Sequence, residues 1–245
     1  MITTAQLADR KNHLGSSDVS SLFNLNPFQN KYDLWLKKTQ KFVDKDEEES
    51  EDIQIGNDFE KPLVSWCGRK LKSEIITDPD KLEFICPDDP LFISHIDGLL
   101  VERPDEGIEA KSTSKYEEWG EEGTDQVPER TILQCAHHCL CNPNLKRIHV
   151  PALIWSFRKK RALYVVERNE EIIAIIKSEG RKFWDEHVLT GIPPENTAPP
   201  SLELIKHIQR VPETWAEVDE TLVLTWQSER DARLVAEKAE KVALA

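Results

Sequence analysis

The hydrophobic pattern of the chain switches between two periods. Apolar residues three and four apart predict helices, and short β-branched runs predict strands. Thr3 or Thr4 is placed to cap a short helix running toward Asn12. Val19, Leu22 and Phe23 form a helical stripe behind Gly15-Ser16-Ser17-Asp18, with Ser16 or Ser17 as the expected cap. Lys31 to Thr39 presents Tyr32, Leu34, Trp35 and Leu36. Ile53 to Lys70 carries Ile55, Phe59, Leu63 and Trp66 on one stripe. Glu74–Thr77, Leu82–Ile85 and Phe92–His95 are short strands broken by Pro79, Pro87 and Pro90. Pro128 suits the first turn of a helix bearing Ile132, Leu133, Ala136, Cys139 and Leu140. Arg147–Ser156 and Ala162–Glu167 read as strands joined by the basic turn Arg158-Lys159-Lys160-Arg161. Asn169 caps a helix through Ile172, Ile176, Phe183 and Trp184. The pattern changes after Gly191-Ile192-Pro193-Pro194. Leu202, Ile205 and Ile208 predict a short helix, and Trp215 to Val242 a long one rich in Glu, Arg, Lys and Ala. The expected organisation is a compact domain over 1–195 and a helical extension over 196–245.

One stretch departs from simple patterning. Phe92 to Lys111 reads as strand, turn and strand, with Arg103-Pro104-Asp105-Glu106-Gly107 as the expected turn. Residues two apart in a strand share a face, so Glu109 and Lys111 project together. Asp97 sits near the start of the partner strand. Two carboxylates and one ammonium in one small space do little for stability but suit a divalent cation. Mg²⁺ takes one or two protein carboxylates and fills its remaining shell with water and phosphate. A lysine beside it orients or deprotonates attacking water. Glu60, beside the stripe of its helix, is a candidate third carboxylate. The competing reading is a solvated hairpin with a Glu–Lys pair worth about 0–1 kcal/mol.

Charge and cysteines narrow the partners. The chain has 245 residues and a formal net charge of −13, which argues against broad coating of nucleic acid but leaves room for a local basic channel. Much of the acid lies in Asp44–Asp52, read as a solvated loop, and in Glu117–Glu122. Ser112 to Val127 reads as a polar loop leaving the hairpin. The five cysteines (Cys67, Cys86, Cys135, Cys139 and Cys141) lack paired zinc spacing and read as buried small apolar residues. Met1–Arg10 is polar, and no apolar run approaches the ~20 residues that span a bilayer. A reduced, cytoplasmic, non-membrane protein is the expectation. His137 and His138 are adjacent and so point about 100° apart on a helix; they read as one core and one surface position rather than a metal pair.

In this order the motifs resemble the lambda-exonuclease-like, YqaJ-type viral recombinase family of PD-(D/E)xK nucleases. Gly15-Ser16-Ser17-Asp18 looks like its early Gly-x-Ser-(Asp/Glu) segment, with Arg10 upstream at the place of its 5′-phosphate-binding arginine. Gly56 to Glu60 is similar to its Gly-x-x-x-Glu motif, Asp97-Gly98 to (Ser-Pro)-Asp-Gly, and Glu109-Ala110-Lys111 to Glu-x-Lys. Gln134 matches a helical glutamine, and Val166 to Glu170 a late (Val/Ile)-Glu-Arg-Asp-Glu segment. His95-Ile96 stands where the family often has Ser-Pro, and Pro199 to Ala245 has no counterpart.

The resemblance implies an α/β (α+β) fold with a restriction-endonuclease-like core, a central mixed sheet flanked by helices. It implies a Mg²⁺-dependent 5′-to-3′ exonuclease on linear duplex DNA, with Mn²⁺ as a substitute ion, that leaves 3′ single-stranded overhangs for phage-type recombination. Asp97, Glu109, the Ala110 carbonyl and Glu60 would hold metal, and Lys111 would position water. Arg10, Ser17 and Gln134 would hold the 5′ phosphate. It further implies a trimeric ring around DNA and a single-strand annealing partner, in a bacterial host carrying a phage or prophage. The rivals are an endonuclease of the same fold, a Cas4-like nuclease with four cysteines around an iron–sulfur cluster, and a non-catalytic subunit that binds DNA ends.

Overall fold

The computed structural model describes residues 10–39, 51–155, 160–194 and 220–243. It divides into two units, Met1–Gln209 and Arg210–Ala245. The Thr3-to-Asn12 helix lies outside the described residues except for a single 3₁₀ turn, Arg10–Asn12. The Leu202–Ile208 helix also lies outside them.

The first unit is built on helices α1 (Val19–Leu22), α2 (Lys31–Lys38) and α3 (Glu51–Leu71), followed by strands β1 (Ile75–Ile76), β2 (Glu83–Ile85), β3 (Ile93–His95), β4 (Gly98–Leu100), β5 (Glu106–Ile108) and β6 (Lys111–Thr113). Helix α4 (Glu129–Cys141), strands β7 (Arg147–Ile154) and β8 (Lys160–Glu167), and helix α5 (Glu170–Phe183) complete it. Helix α3 is longer than its apolar stripe: Glu51 and Asp52, read as part of the solvated acidic run, belong to its first turn.

The main sheet is mixed. β1 pairs antiparallel with β4, and β4 with β5. β5 and β6 both run parallel to β7, which pairs antiparallel with β8 along its whole length. β2 and β3 form a separate hairpin. β5 and β6 are therefore one strand line interrupted at Glu109 and Ala110. Ile108 lies opposite His149 and Lys111 opposite Ala152, so Val150 and Pro151 face the interruption. Pro151 has no N–H to give to a neighbouring strand, and a ladder is weakest at such a residue.

Side-chain alternation divides the core across the sheet. Ile148, Val150, Ala152 and Ile154 of β7, with Ala162, Tyr164 and Val166 of β8, join the larger cluster with α1, α2, α4 and α5 residues. Leu100, Ile108 and Leu163 face the other way, onto Val64 and Cys67 of α3. With helices on both faces, β7 is apolar almost throughout.

Three expectations need correction. The hairpin turn lies two residues earlier than its residues suggested: it spans Val101 to Asp105, and Glu106 and Gly107 lie in β5. Gly107 is needed for space, because a Cβ there would lie 2.8 Å from Ile148 Cδ1. The stretch after Lys111 is no free loop. It first continues as β6, and it then returns to β8 through Gly123 N–H to the Leu163 carbonyl (2.9 Å) and Val165 N–H to the Thr124 carbonyl (3.1 Å). The helix behind Gly15-Ser16-Ser17-Asp18 has only four residues and starts after Asp18, without a serine cap. The Asp18 carboxylate instead accepts from Gly15 N–H at 2.9 Å and from the buried Lys38 ammonium at 2.7 Å.

All five cysteines are free and buried, as their reading as small apolar residues requires. Of the basic turn, Arg158 and Lys159 lie outside the described residues, and Arg161 lies over the Trp66 ring at 5.3 Å. In the second unit the described residues form one helix, α6 (Glu220–Ala243), with Trp226 and Val235 exposed. No helix of the described residues is long and apolar enough to cross a membrane.

Candidate active site

The interruption between β5 and β6 builds the site. Past it, the Ala110 N–H donates to Asp97 Oδ2 at 2.7 Å, tying the residue before β4 to the broken strand. The Asp97 N–H in turn donates to the Ile108 carbonyl at 3.0 Å. Gly98 follows Asp97 in β4, where a Cβ would meet Ile75 Cγ2 at 2.7 Å. The glycine of the Asp-Gly pair thus serves close packing beneath the aspartate.

Glu109 is 5% exposed and fully engaged. Its Oε1 accepts from Lys111 Nζ at 2.6 Å and from Gln134 Nε2 at 2.7 Å. Its Oε2 is 2.9 Å from His138 Nε2. Lys111 Nζ also donates to Gln134 Oε1 at 2.7 Å, closing a ring of three side chains. The amide of Gln134 therefore reads both partners at once, donating to the carboxylate and accepting from the ammonium.

Asp97, Glu109, Ala110 and Lys111 share one cavity of about 270 Å³ with Ser112 and with Gly56, Asn57, Glu60 and Leu63 of α3. Two charge effects dominate there. Burial pushes the Asp97 carboxyl well above its ordinary value, and the neighbouring Glu109 and Glu60 charges push it further. Burial acts in the same direction on Glu109, but the Lys111 ammonium and the His138 bond outweigh it and hold that carboxyl down at about 2. Burial would lower the Lys111 value, yet the Glu109 charge prevails and raises it, so Lys111 is a cation at neutral pH. Three carboxylates facing one ammonium leave the cavity short of positive charge.

That shortage is the property a divalent cation would meet. Among the described residues no three His, Cys, Asp or Glu side chains converge as a ready-made metal cage. The donor set is two carboxylates, Asp97 and Glu109, with the Ala110 carbonyl beside them and Glu60 across the cavity. Such a set fits Mg²⁺, which keeps several waters and dispenses with an all-protein cage. It does not fit zinc or an iron–sulfur cluster, and the buried cysteines supply no such site.

The structure thus gathers Asp97, Glu109, Ala110, Lys111 and Glu60 into one cavity and sets Gln134 against two of them. Ser17 is exposed, in the loop before α1, and does not line the cavity. The Arg10 side chain lies outside the described part. One expectation fails: His138 is no surface residue. Both His137 and His138 are fully buried, and His138 touches Glu109. Its position was readable, because it lies four residues after Gln134 and so on the same helix face.

The sequence matches the YqaJ-like viral recombinase domain over residues 6–142, more than half of the chain. The chain belongs to the YqaJ-like viral recombinase family. It is 29% identical over 197 residues to the uncharacterized protein YqaJ of Bacillus subtilis (strain 168), covering 77% of this chain and 57% of that protein. The chain thus spans less than two thirds of the length of this curated relative. Among solved structures, the fold is similar to an alkaline exonuclease (LHK-Exo) from Laribacter hongkongensis, with a TM-score of 0.58 at 15% identity, over 78% of this chain and 94% of that one. It is also similar to a phage-related exonuclease from Haemophilus somnus 129PT, with a TM-score of 0.51 at 12% identity, over 73% and 96%. At such identities the likeness speaks to fold, and the fold is the mixed, helix-flanked PD-(D/E)xK core that the motifs implied.

Proposed function

We propose that this protein is a Mg²⁺-dependent exonuclease that degrades one strand of linear duplex DNA from its 5′ end and leaves 3′ overhangs. The observation that carries this reading is the gathering of Asp97, Glu109, Lys111 and Glu60 in one cavity at a break in the sheet. Membership of a viral recombinase family and the exonuclease folds around it support the same reaction class. Mn²⁺ would serve as a substitute ion.

When bound, the divalent cation supplies Lewis-acid stabilisation of charge on the phosphate oxygens and an acidified water. The residues supply position. Asp97 and Glu109 would hold the ion with the Ala110 carbonyl, and Glu60 would hold a second ion or its water. Asp97 is fixed by the Ala110 N–H, and Glu109 by Lys111, Gln134 and His138, so neither carboxylate must reorganise during turnover. Lys111 has three N–H donors, two of them committed to Glu109 and Gln134. The third is available to orient the attacking water. Arg10 and Ser17 would hold the terminal 5′ phosphate, with Gln134 linking that contact to the lysine. We further propose a trimeric ring around the duplex and a single-strand annealing protein as partner, in the cytoplasm of a bacterial host carrying phage or prophage.

The test is digestion of linear duplex DNA bearing a 5′ phosphate or a 5′ hydroxyl, with Mg²⁺ or with EDTA, beside closed circular DNA. Loss of one strand only with Mg²⁺, faster from the phosphorylated end and absent on circles, is expected. Equal cutting of circles would replace the exonuclease with an endonuclease. No cutting with any metal would leave a DNA-end-binding subunit.

A further inference from the structure

His138 has no part in the mechanism above beyond touching Glu109, yet its surroundings are unusually complete. It is fully buried on α4, four residues past Gln134, and it does not line the cavity. Nε2 lies 2.9 Å from Glu109 Oε2 and Nδ1 lies 2.5 Å from Ser94 Oγ, and Ser94 is itself fully buried on β3. Three separate elements therefore meet in one chain of hydrogen bonds.

Donor and acceptor chemistry gives that chain a direction. Glu109 is ion-paired with Lys111 and accepts from Lys111 and Gln134, and both oxygens of such a carboxylate only accept. His138 Nε2 must then donate to Oε2. Its Nδ1 shares a hydrogen bond with the Ser94 hydroxyl on the far side of the ring. Ser94 fixes the ring angle of His138, and His138 fixes Oε2 from the core side of the carboxylate. Lys111 and Gln134 fix the other oxygen. Glu109 sits in the interruption between β5 and β6: its N–H still donates to the His149 carbonyl at 3.0 Å, but Pro151 opposite has no N–H to return, so its side chain is held chiefly by these partners.

We propose that His138, oriented by Ser94, is a positioning residue that presets Glu109 for the divalent cation. This deepens the metal-dependent reading and rests on it. Outer partners that orient a ligating carboxylate typically affect metal affinity 10- to 100-fold. The pair is thus assigned to the ion, with no contact to DNA.

The experiment is calorimetric titration of the full chain with Mn²⁺ alone, without DNA, comparing wild type with Ser94→Ala, His138→Phe, His138→Gln and Ser94→Ala/His138→Phe. His138→Phe should raise the Mn²⁺ dissociation constant by roughly 10- to 100-fold. Ser94→Ala should weaken binding in the same direction by a smaller factor, and His138→Gln, which retains an N–H donor, should recover part of the loss. The double variant should match His138→Phe alone, because Ser94 acts through the ring. A purely structural role would lower the melting temperature and leave the Mn²⁺ constant and this non-additivity unmoved. Should His138→Phe fail to fold, Ser94→Ala and His138→Gln carry the test. Wild-type-like Mn²⁺ constants in both would overturn the inference while the metal reading stood. A wild type that takes up no Mn²⁺ would overturn the metal reading and this inference with it.

Discussion

At the scale of single residues, the site depends on which group supplies the last hydrogen bond. Replacing Lys111 by alanine removes the donor assigned to the attacking water. The expected loss in kcat is about 10²- to 10⁴-fold, with KM for DNA little changed, measured on 5′-phosphorylated linear duplex. Circular dichroism melts would confirm that the variant is folded. His137, next along the helix from His138, has a different consequence. Burial, helped by the neighbouring His138, lowers its value from 6.5 to about 3. Its folded value lies below its unfolded one, so the unfolded chain takes up the proton first. The stability from the neutral, buried ring is complete above pH 6.5 and is lost as pH falls from 6.5 toward 3. The slope is up to about 1.4 kcal/mol per pH unit. In His137→Phe that contribution vanishes. Urea midpoints at pH 7 and pH 5 should then differ less in the variant than in wild type. Residue types and spacing made Asp97, Glu109 and Lys111 legible in the sequence. They placed His138 on the helix face of Gln134 but did not reveal its role, because the burial that gives it one comes from β3 and the broken strand, both remote in sequence.

At the scale of elements, the Val166-Glu167-Arg168-Asn169-Glu170 segment is a joint between elements. Asn169 Oδ1 caps α5 by accepting from the Glu171 and Ile172 N–H groups at 3.0 and 3.1 Å. Arg168 Nη1 donates to the Cys139 carbonyl at 2.6 Å, in the last turn of the helix that carries Gln134 and His138. Arg168→Ala should cost about 1–3 kcal/mol in chemical denaturation, the range for stranding a largely buried acceptor. Below the melting transition its kcat should stay close to wild type, since Arg168 touches no reacting group. Helices α3, α4 and α5 were legible because their apolar residues keep the helical period, and α5 also has an explicit cap in Asn169. The serine-capped helix was misread because serine capping is a local rule, and the buried Lys38–Asp18 pair settles that loop instead. Pro151 was an available sign of the strand break: a proline within an apolar run places a missing donor in a central strand.

At the scale of the whole molecule, the acidic surface and the local site are compatible because net charge is an average over faces. A ring around DNA would concentrate part of its 32 lysines and arginines in the bore. Sedimentation equilibrium should give a mass about three times the 28.2 kDa of one chain; a monomer would remove the ring. We propose the C-terminal extension as the docking surface for the annealing protein: in a pull-down, deleting Pro199 to Ala245 should abolish binding, and unchanged binding would remove that role. The sequence by itself determined the period of each major element, the burial of its cysteines, and the order of the motifs. Those properties follow from local spacing and residue chemistry. Only the tertiary structure decided that β5 and β6 are one interrupted strand, that Gln134 and His138 close on opposite oxygens of Glu109, and that Glu60 faces the same cavity. Each of these joins residues far apart in the chain through burial and hydrogen-bond satisfaction, which no local period encodes.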